Sequence, residues 1–392
     1  MRTIRKVVVA PTAFKGSLSP VQAAQAMERG VRRASPEAEV VVLPLADGGD
    51  GMLECLAWAG VCQLSQHTVS DALGRPRPAP HGIGSDAQTG YIEMAQICGL
   101  AQLPHEERHP RVTTTFGVGE MIRHLLARGV RRLVIGLGGS ATNDGGAGAL
   151  NALGWQLLDR HGKPIPLGNA GLSRLRRVLP SPLVSDQTEV ILAADVRNPL
   201  LGKRGATAVF APQKGATPEM LPEMERALRR WAVAVHRATG RRLSRVPGAG
   251  AAGGLAFGLL AHFPQARLVS GAEFVMQAVG FHDALRDADL VLTGEGQVDA
   301  TTLHGKLLMR VLQAARRHRV PVAIVCGDLQ ADLPLLQARG VVACQTLVGS
   351  ETSREEAMHS AAFWLEVNTA KLFSKWESLS SGQSRRKVAL PT

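Results

Sequence analysis

Aromatic residues make up only 4% of this 392-residue chain, a single tyrosine among them, and there are five cysteines. With so few rings there is little for nucleobases to stack on. The net charge of +12 therefore does not by itself point to nucleic acid: no recognisable nucleic-acid module accompanies it, and the positive charge is scattered along the chain. A basic protein with small anionic ligands is the simpler reading. Cys55, Cys62, Cys98, Cys326 and Cys344 are odd in number and show no CxxC or Cys/His metal spacing. That implies neither a disulfide framework nor a zinc site, and they read as small buried hydrophobes. No apolar run approaches the ~20 residues of a membrane helix. Residues 7–10, after Arg5 and Lys6, are too brief for a signal-peptide core, so the cytoplasm is the expected setting and no membrane partner is expected. Three nucleotide signatures are also missing: the GxxxxGK[ST] loop, the protein-kinase motif set, and a clear GxGxxG fingerprint with its distant acid. The last absence argues against a dinucleotide-dependent reductase of hydroxy acids.

Lysine is scarce too. It supplies 9 of the 45 basic residues, yet Lys15, Lys163, Lys203, Lys214 and Lys306 each adjoin a glycine. A compact ammonium beside flexible backbone suits phosphate or carboxylate contact, with a solvated loop lysine as the alternative.

What is present is a chain that is 45% hydrophobic, long enough for a full core and for two domains. The stretch GLGGSATNDGGAGALNALG, residues 136–154, stands at its centre. It follows an apolar strand, 131–137, and leads into an alanine- and leucine-rich helix, 147–153. Gly138, Gly139, Gly145, Gly146 and Gly148 remove the Cβ atoms that would hold a ligand off the backbone, so N–H groups can face an anion. Ser140, Thr142, Asn143 and Asp144 add hydroxyl, amide and carboxylate groups. A plain strand-to-helix turn needs only one or two glycines.

In chain order, 4–10 reads as a buried strand, followed by the loop PTAFKGSLS that projects Lys15 and Ser17, and Ser19-Pro20 opens a helix. A second strand, 40–45, ends in Asp47-Gly48-Gly49-Asp50-Gly51 before a helix at 52–59. This order predicts parallel strands with right-handed crossovers and ligands at the carboxyl ends, where Asp47 and Asp50 would lie. From about residue 63 through 84 the pattern is irregular, with prolines and glycines, and suggests a domain boundary. Glu120 would begin a helix to Arg128, either as an inward carboxylate or as a first-turn acid. The strand 190–194 ends in Asp195, a common placement for a reactive carboxylate in α/β folds, with Arg197, Asn198 and Pro199 after it. Residues 206–210 read as a strand, and 217–239 as an amphipathic helix whose Arg226, Arg229, Arg230 and Arg237 form a solvated face. Four glycines in 248–254 precede another helix, as an anion site or for close packing. A strand at 289–293 leads to Gly294-Glu295-Gly296 and Asp299. A helix opens at His304-Gly305-Lys306, strands at 320–326 and 341–348 flank a short helix, and a final helix spans 354–374. The Ser-rich end reads as disordered.

The fold expected is α/β: a Rossmann-like or flavodoxin-like parallel-sheet domain from residues 1–63 plus 285–376, a second α/β domain inserted at 64–284, and a disordered tail at 377–392. A cleft between two such domains would let closure exclude water.

GLGGSATNDGGAGALNALG resembles the signature of the type-1 glycerate kinases. FKGSLS (14–19), ADGGDG (46–51), TTFGVGE (114–120), DVRNPLLG (195–202), APQKGA (211–216), GAGAAGGLAFGL (248–259) and TGEGQVD (293–299) agree in the same order, so the similarity covers about residues 4–370. The sequence departs from the family at Thr12 and Ala13, where Asp and Ser are usual, at Asp50, where Glu is more common, and at Thr301. The resemblance implies ATP-dependent phosphorylation of D-glycerate to 2-phospho-D-glycerate in organic-acid and sugar-acid catabolism. The same reaction giving 3-phosphoglycerate, or a sugar-acid sensor on the same fold, are alternatives. Phosphoryl transfer asks for Mg²⁺ carboxylates, donors for phosphate oxygens and a group that orients or deprotonates the acceptor hydroxyl. Asp47, Asp195, Glu295 and Asp299 are candidates for Mg²⁺ or base roles, with Asp47, Glu295 and Asp299 as the metal set. Lys15, Ser140, Thr142 and Lys214 are candidates for phosphate contact, Asn143, Asp144 and Asn198 for polar contact, and Gly138, Gly139, Gly145 and Gly146 for backbone donation. A monomer or homodimer is expected.

Overall fold

The computed structural model describes residues 5–181, 188–299, 302, 307–349 and 352–382, without the side chains of 376–382. The chain forms two compact units, one of Met1–Ala46, Glu54–Ala59 and Val275–Thr392, the other of Asp47–Leu53 and Gly60–Phe274.

The first unit is built on a five-stranded parallel sheet in the order Val341–Thr346, Val322–Cys326, Leu290–Thr293, Lys6–Val9, Glu39–Val42. Counted along the chain within this unit the order is 2-1-3-4-5, the flavodoxin-like arrangement. Val7, Val8 and Val9, like Leu290, Val291 and Leu292, are fully buried. Such continuous apolar runs are what a parallel sheet covered on both faces demands. Sheet growth reverses direction between Lys6–Val9 and Leu290–Thr293, and this switch point is where open α/β sheets place the crevice that takes a ligand. Helix Pro20–Ala34 starts on a capping box, in which Ser19 Oγ accepts from the Gln22 N–H and Gln22 reaches back to the Ser19 N–H.

The end of the chain differs from expectation. Helix Arg354–His359 stops at Ser360, and a separate helix, Ala361–Gly382, runs past residue 376. Residues 377–382 of the expected tail are thus helical, because an established helix adds residues at little cost even where they are serines. The rest of the expected tail, 383–392, lies outside the described residues, as do Thr301 and the His304–Lys306 opening.

The second unit holds a six-stranded sheet. Arg267–Val269, Glu189–Ala193, Arg132–Gly136 and Thr89–Glu93 are parallel neighbours, and Pro76–Gly84 and Cys62–Ser70 continue the sheet antiparallel. The stretch expected to be irregular is therefore a long hairpin. Pro76, Pro78 and Pro80 occur at every second position, so their missing N–H groups all face the same side, away from the Cys62–Ser70 ladder. The segment expected as a strand at 206–210 is a helix, Ala206–Phe210. Five apolar residues carry no period that separates the two, and here Ala206 and Thr207 bury the inner face. Trp155, Trp231, Phe257 and Phe263 anchor the core of this unit. Cys55, Cys62, Cys98 and Cys326 are buried and Cys344 half-buried, none in a disulfide. Among the described residues no helix is long and apolar enough to cross a membrane.

Candidate active site

In the second unit the carboxyl ends of the central strands carry the accessible part of the site. Asp195 follows strand Glu189–Ala193, and its carboxylate accepts from Ser270 Oγ at 2.6 Å and from the Ala272 N–H at 3.0 Å. Both donors follow the neighbouring strand Arg267–Val269, Ser270 directly after it and Ala272 in the first turn of helix Gly271–Ala278, so the carboxylate is fixed from that side. The Asp47–Asp50 loop runs across the same strand ends. The Gly138 N–H donates to the Gly48 carbonyl at 3.0 Å, and Asp47 Oδ1 accepts from the Gly49 N–H at 3.1 Å. A Cβ on Gly138 would stand 2.4 Å from Gly49 Cα, so only glycine allows this crossing. Asp47, Asp50 and Gly139 are exposed, and Gly138 and Asp195 half-buried. The structure thus brings Asp47, Gly138, Gly139 and Asp195 together on one accessible edge.

The second half of the central loop faces inward. Thr142, Asn143 and Asp144 have no exposed surface, and Gly145 and Gly146 are buried with them. Asp144 accepts from the Thr115 N–H and hydroxyl, both at 2.9 Å, and from the Gly146 and Gly148 N–H groups. Burial pushes its carboxyl above the usual range while these donors oppose the shift. Asn143 Nδ2 donates to Thr207, and Trp231 Nε1 donates to the Gly145 carbonyl at 2.9 Å. From the other side, Gly253 presses on Thr142, where a Cβ would come within 1.9 Å of the carbonyl oxygen. The glycines of 248–254 therefore serve close packing rather than an anion site. Gly253 and Gly254 are left-handed and fully buried.

Lys214 is drawn into the same layer. Its Nζ donates to Ser140 Oγ at 2.6 Å and to the Thr142 carbonyl at 2.8 Å, and the side chain is only 2% exposed. Burial pulls its ammonium down to about 7, against the attraction of Cys98 and Asp144 nearby. Asn198 likewise turns to its own loop, donating to the Arg204 carbonyl. Glu120 accepts from the Ser70 N–H at 2.7 Å, inside helix Phe116–Ala127.

In the first unit, Lys15 is exposed on a tight turn in which the Phe14 carbonyl accepts from the Ser17 and Leu18 N–H groups, with Phe14 buried beneath it. The Thr12 N–H donates to the Gly294 carbonyl, so this loop lies beside the one that carries Glu295 and Asp299. The Asp299 carboxylate accepts from Thr302. Lys15, Glu295 and Asp299 therefore share the crevice where sheet growth reverses. Among the described residues no three His, Cys, Asp or Glu side chains gather as a metal cage.

One residue escaped the sequence reading. Glu93, the last residue of strand Thr89–Glu93, is 1% exposed, and its carboxylate accepts from the Gly51 N–H at 3.0 Å, the Leu53 N–H at 2.9 Å and Gln96 Nε2 at 3.1 Å. It clamps the Asp47–Leu53 segment to the sheet. Burial pushes its carboxyl up to about 7, with the donors pulling the other way. An acid closing an apolar strand, Tyr-Ile-Glu, was the only signal available.

Parallel strands whose carboxyl ends bear glycine- and aspartate-rich loops define an α/β enzyme that binds its ligands at those ends. A family model described as the glycerate kinase family matches residues 7–377. A glycerate kinase of Bacillus subtilis (strain 168) is 43% identical over 92% of this chain and 95% of its own length. The glycerate 2-kinase of Escherichia coli (strain K12) is 39% identical over 91% and 94%. A crystal structure from Salmonella typhimurium LT2 that carries the name glycerate kinase 2 superposes with a TM-score of 0.81 at 38% identity, covering 97% of this chain and 100% of that one. The chain belongs to the glycerate kinase family.

Proposed function

We propose that this enzyme transfers the γ-phosphoryl group of ATP to the C2 hydroxyl of D-glycerate, giving 2-phospho-D-glycerate and ADP. The observation that carries the reading is Asp195, held at a strand end by Ser270 and Ala272 beside the exposed Gly138–Gly139 backbone and Asp47. One Asp195 oxygen accepts from Ser270 and the other from Ala272, which fixes the carboxylate at the strand end; there it would take the hydroxyl proton as the new O–P bond forms and the bond to the β–γ bridging oxygen breaks. Gly138 and Gly139 let an anion approach the backbone, and Lys15 offers an exposed charge to a phosphate or to the substrate carboxylate. Ser140, Thr142, Asn143, Asp144, Gly145, Gly146 and Lys214 act behind this edge by fixing its shape.

Mg²⁺ takes hard oxygen ligands, commonly one or two carboxylates completed by phosphates and water. Glu295 and Asp299, or Asp47, fit that donor set without a protein cage. When bound, the ion would neutralise charge on the β- and γ-phosphates. A cytoplasmic setting, where ATP is plentiful, is part of the same proposal.

The E. coli relative named glycerate 2-kinase supports the C2 product. Regiochemistry depends on which hydroxyl lies in line with the phosphorus, a matter of fine positioning. The test is to incubate the protein with ATP, Mg²⁺ and D-glycerate and couple the product to enolase, with and without phosphoglycerate mutase. Signal from enolase alone is expected. Signal that needs the mutase would mean 3-phosphoglycerate, and silence in both arms would favour a non-catalytic sugar-acid sensor.

A further inference from the structure

Positive charge that is scattered in the sequence is gathered on one face of the second unit. Helix Leu221–Thr239 buries Met224, Ala227, Leu228, Trp231, Ala232 and Val235 and turns its other face to solvent. On one side of that face lies a groove of about 870 Å³ that takes Lys203, Arg204, Arg229, Arg241, Arg242 and Arg245. On the other lies a groove of about 620 Å³ that takes Arg176, Arg177, Arg226, Arg229, Arg230 and Arg237. The two share Arg229 and Val233, so they adjoin, and eleven distinct cations line the pair. Among the described residues no carboxylate lines either groove. Among the described residues, only Arg229 of the eleven forms an ion pair, to Glu225 at 3.7 Å.

Eleven cations with one counter-charge repel one another, a standing cost that a bound anion would relieve. Several of the heads are held in place without being neutralised: Arg176, Arg230 and Arg241 each donate to a backbone carbonyl, of Leu175, Ser173 and Leu260. Ten of the eleven are arginine, whose planar fork matches phosphate oxygens two at a time. The floors are aliphatic, Leu201, Leu243 and Val233 in one groove and Val178 and Ala238 in the other. Among the described residues neither contains Phe, Tyr or Trp, and His236 is the one ring that lines the pair; Asn, Gln, Asp and Glu are absent too, which leaves the arginines as the groups that would meet a ligand. Recognition would fall chiefly on phosphate oxygens, which every one of these cations can bind, and a concave track receives a single extended chain better than a duplex.

We propose that these adjoining grooves form a docking track for a linear polyphosphate, a phosphoanhydride chain without bases, separate from the Asp195 edge.

The test uses the full chain without substrates, with fluorescently labelled inorganic polyphosphate as probe and duplex DNA and tripolyphosphate as competitors. Saturable binding at physiological salt is expected, with affinity falling linearly in log–log against salt. The triple substitution Arg229→Gln, Arg237→Gln, Arg242→Gln should weaken binding at least tenfold and flatten the salt slope. The control pair Arg316→Gln, Arg317→Gln, exposed on helix Leu307–His318 of the other unit, should leave both unchanged. Equal weakening by the control, tighter binding of duplex DNA than of polyphosphate, or no binding at physiological salt would each overturn the proposal. Glycerate-dependent ATP turnover of the triple variant should match the wild type, which keeps this result independent of the proposed reaction.

Discussion

Asp195 shows how a single side chain is prepared by its neighbours. Ser270 Oγ and the Ala272 N–H leave its carboxylate one orientation. Asp195→Asn keeps the volume but removes the charge and turns one oxygen into a donor facing a donor. Its kcat should fall by about a hundredfold or more, the loss expected when a base or metal ligand is removed, while the unfolding midpoint stays close to wild type. A folded variant with near-normal kcat would take Asp195 out of the reaction. Lys214 makes the opposite point. A lysine beside glycine reads as a phosphate contact, but its ammonium is spent inside the protein on Ser140 and the Thr142 carbonyl. Nothing within a few residues of Lys214 announces that burial; it comes from a loop more than seventy positions away.

At the scale of elements, the Asp47–Leu53 segment is tied to strand Thr89–Glu93 through one carboxylate, and that tie titrates. Glu93 is raised to about 7 when folded, against 4.5 for the free side chain. Between those values the folded protein holds a proton that the unfolded chain has released. Stability from this group is therefore full below about pH 4.5 and is lost as pH climbs to about 7. The shift corresponds to roughly 3 kcal/mol as an upper figure. Glu93→Gln cannot ionise, and its one amide oxygen can accept from either the Gly51 or the Leu53 N–H but not from both, since these bond to different carboxylate oxygens, so the variant starts less stable while the contribution of this side chain is flat across this window. Urea unfolding of both proteins between pH 4.5 and 8 should show the wild type losing ~2–3 kcal/mol relative to the variant, and a difference that stays flat would refute the clamp. Elements were also where sequence patterns misled. Alternating prolines concealed a strand at Pro76–Gly84, and an apolar pentapeptide that reads as a strand became helix Ala206–Phe210. Both outcomes depend on which neighbour each segment meets.

For the molecule as a whole, acid should be the weak side. His81 is 1% exposed, neither ring nitrogen has a hydrogen-bond partner among the described residues, and His124, His67 and Arg128 face it. His262 is 2% exposed and accepts from Trp155 Nε1 at 2.8 Å, a bond that protonating that nitrogen would abolish. Burial lowers both to about 4, below the 6.5 of a free histidine. The unfolded chain takes up protons first, so their stability is full above about pH 6.5 and is lost as pH falls to about 4. Each is worth on the order of 3 kcal/mol. Glu93 runs the other way across an overlapping window, but two histidines outweigh one carboxylate. The urea midpoint should therefore drop between pH 6.5 and 4.5, and His81→Phe should drop less. A midpoint unchanged across that range, or an equal drop in the variant, would contradict this.

The sequence by itself determined the strands of the parallel sheet in the first unit: β-branched apolar runs such as Lys6–Val9, Leu290–Thr293 and Val322–Cys326 suit a sheet covered on both faces, and glycine and aspartate after such a strand suit a turn. Asp47, Asp195, Gly138 and Gly139 were legible on that ground, because local spacing places them at strand ends. Tertiary structure alone decided which members of the central loop face outward. Gly138 and Gly139 stay accessible, whereas Ser140–Gly146 is sealed by Thr115, Lys214, Trp231 and Gly253. It also decided that arginines scattered from Arg176 to Arg245 share one face, and that Glu93 grips a loop forty residues away. The reason is physical. Backbone preference and period act within a few residues, while burial and charge density depend on atoms brought together through space.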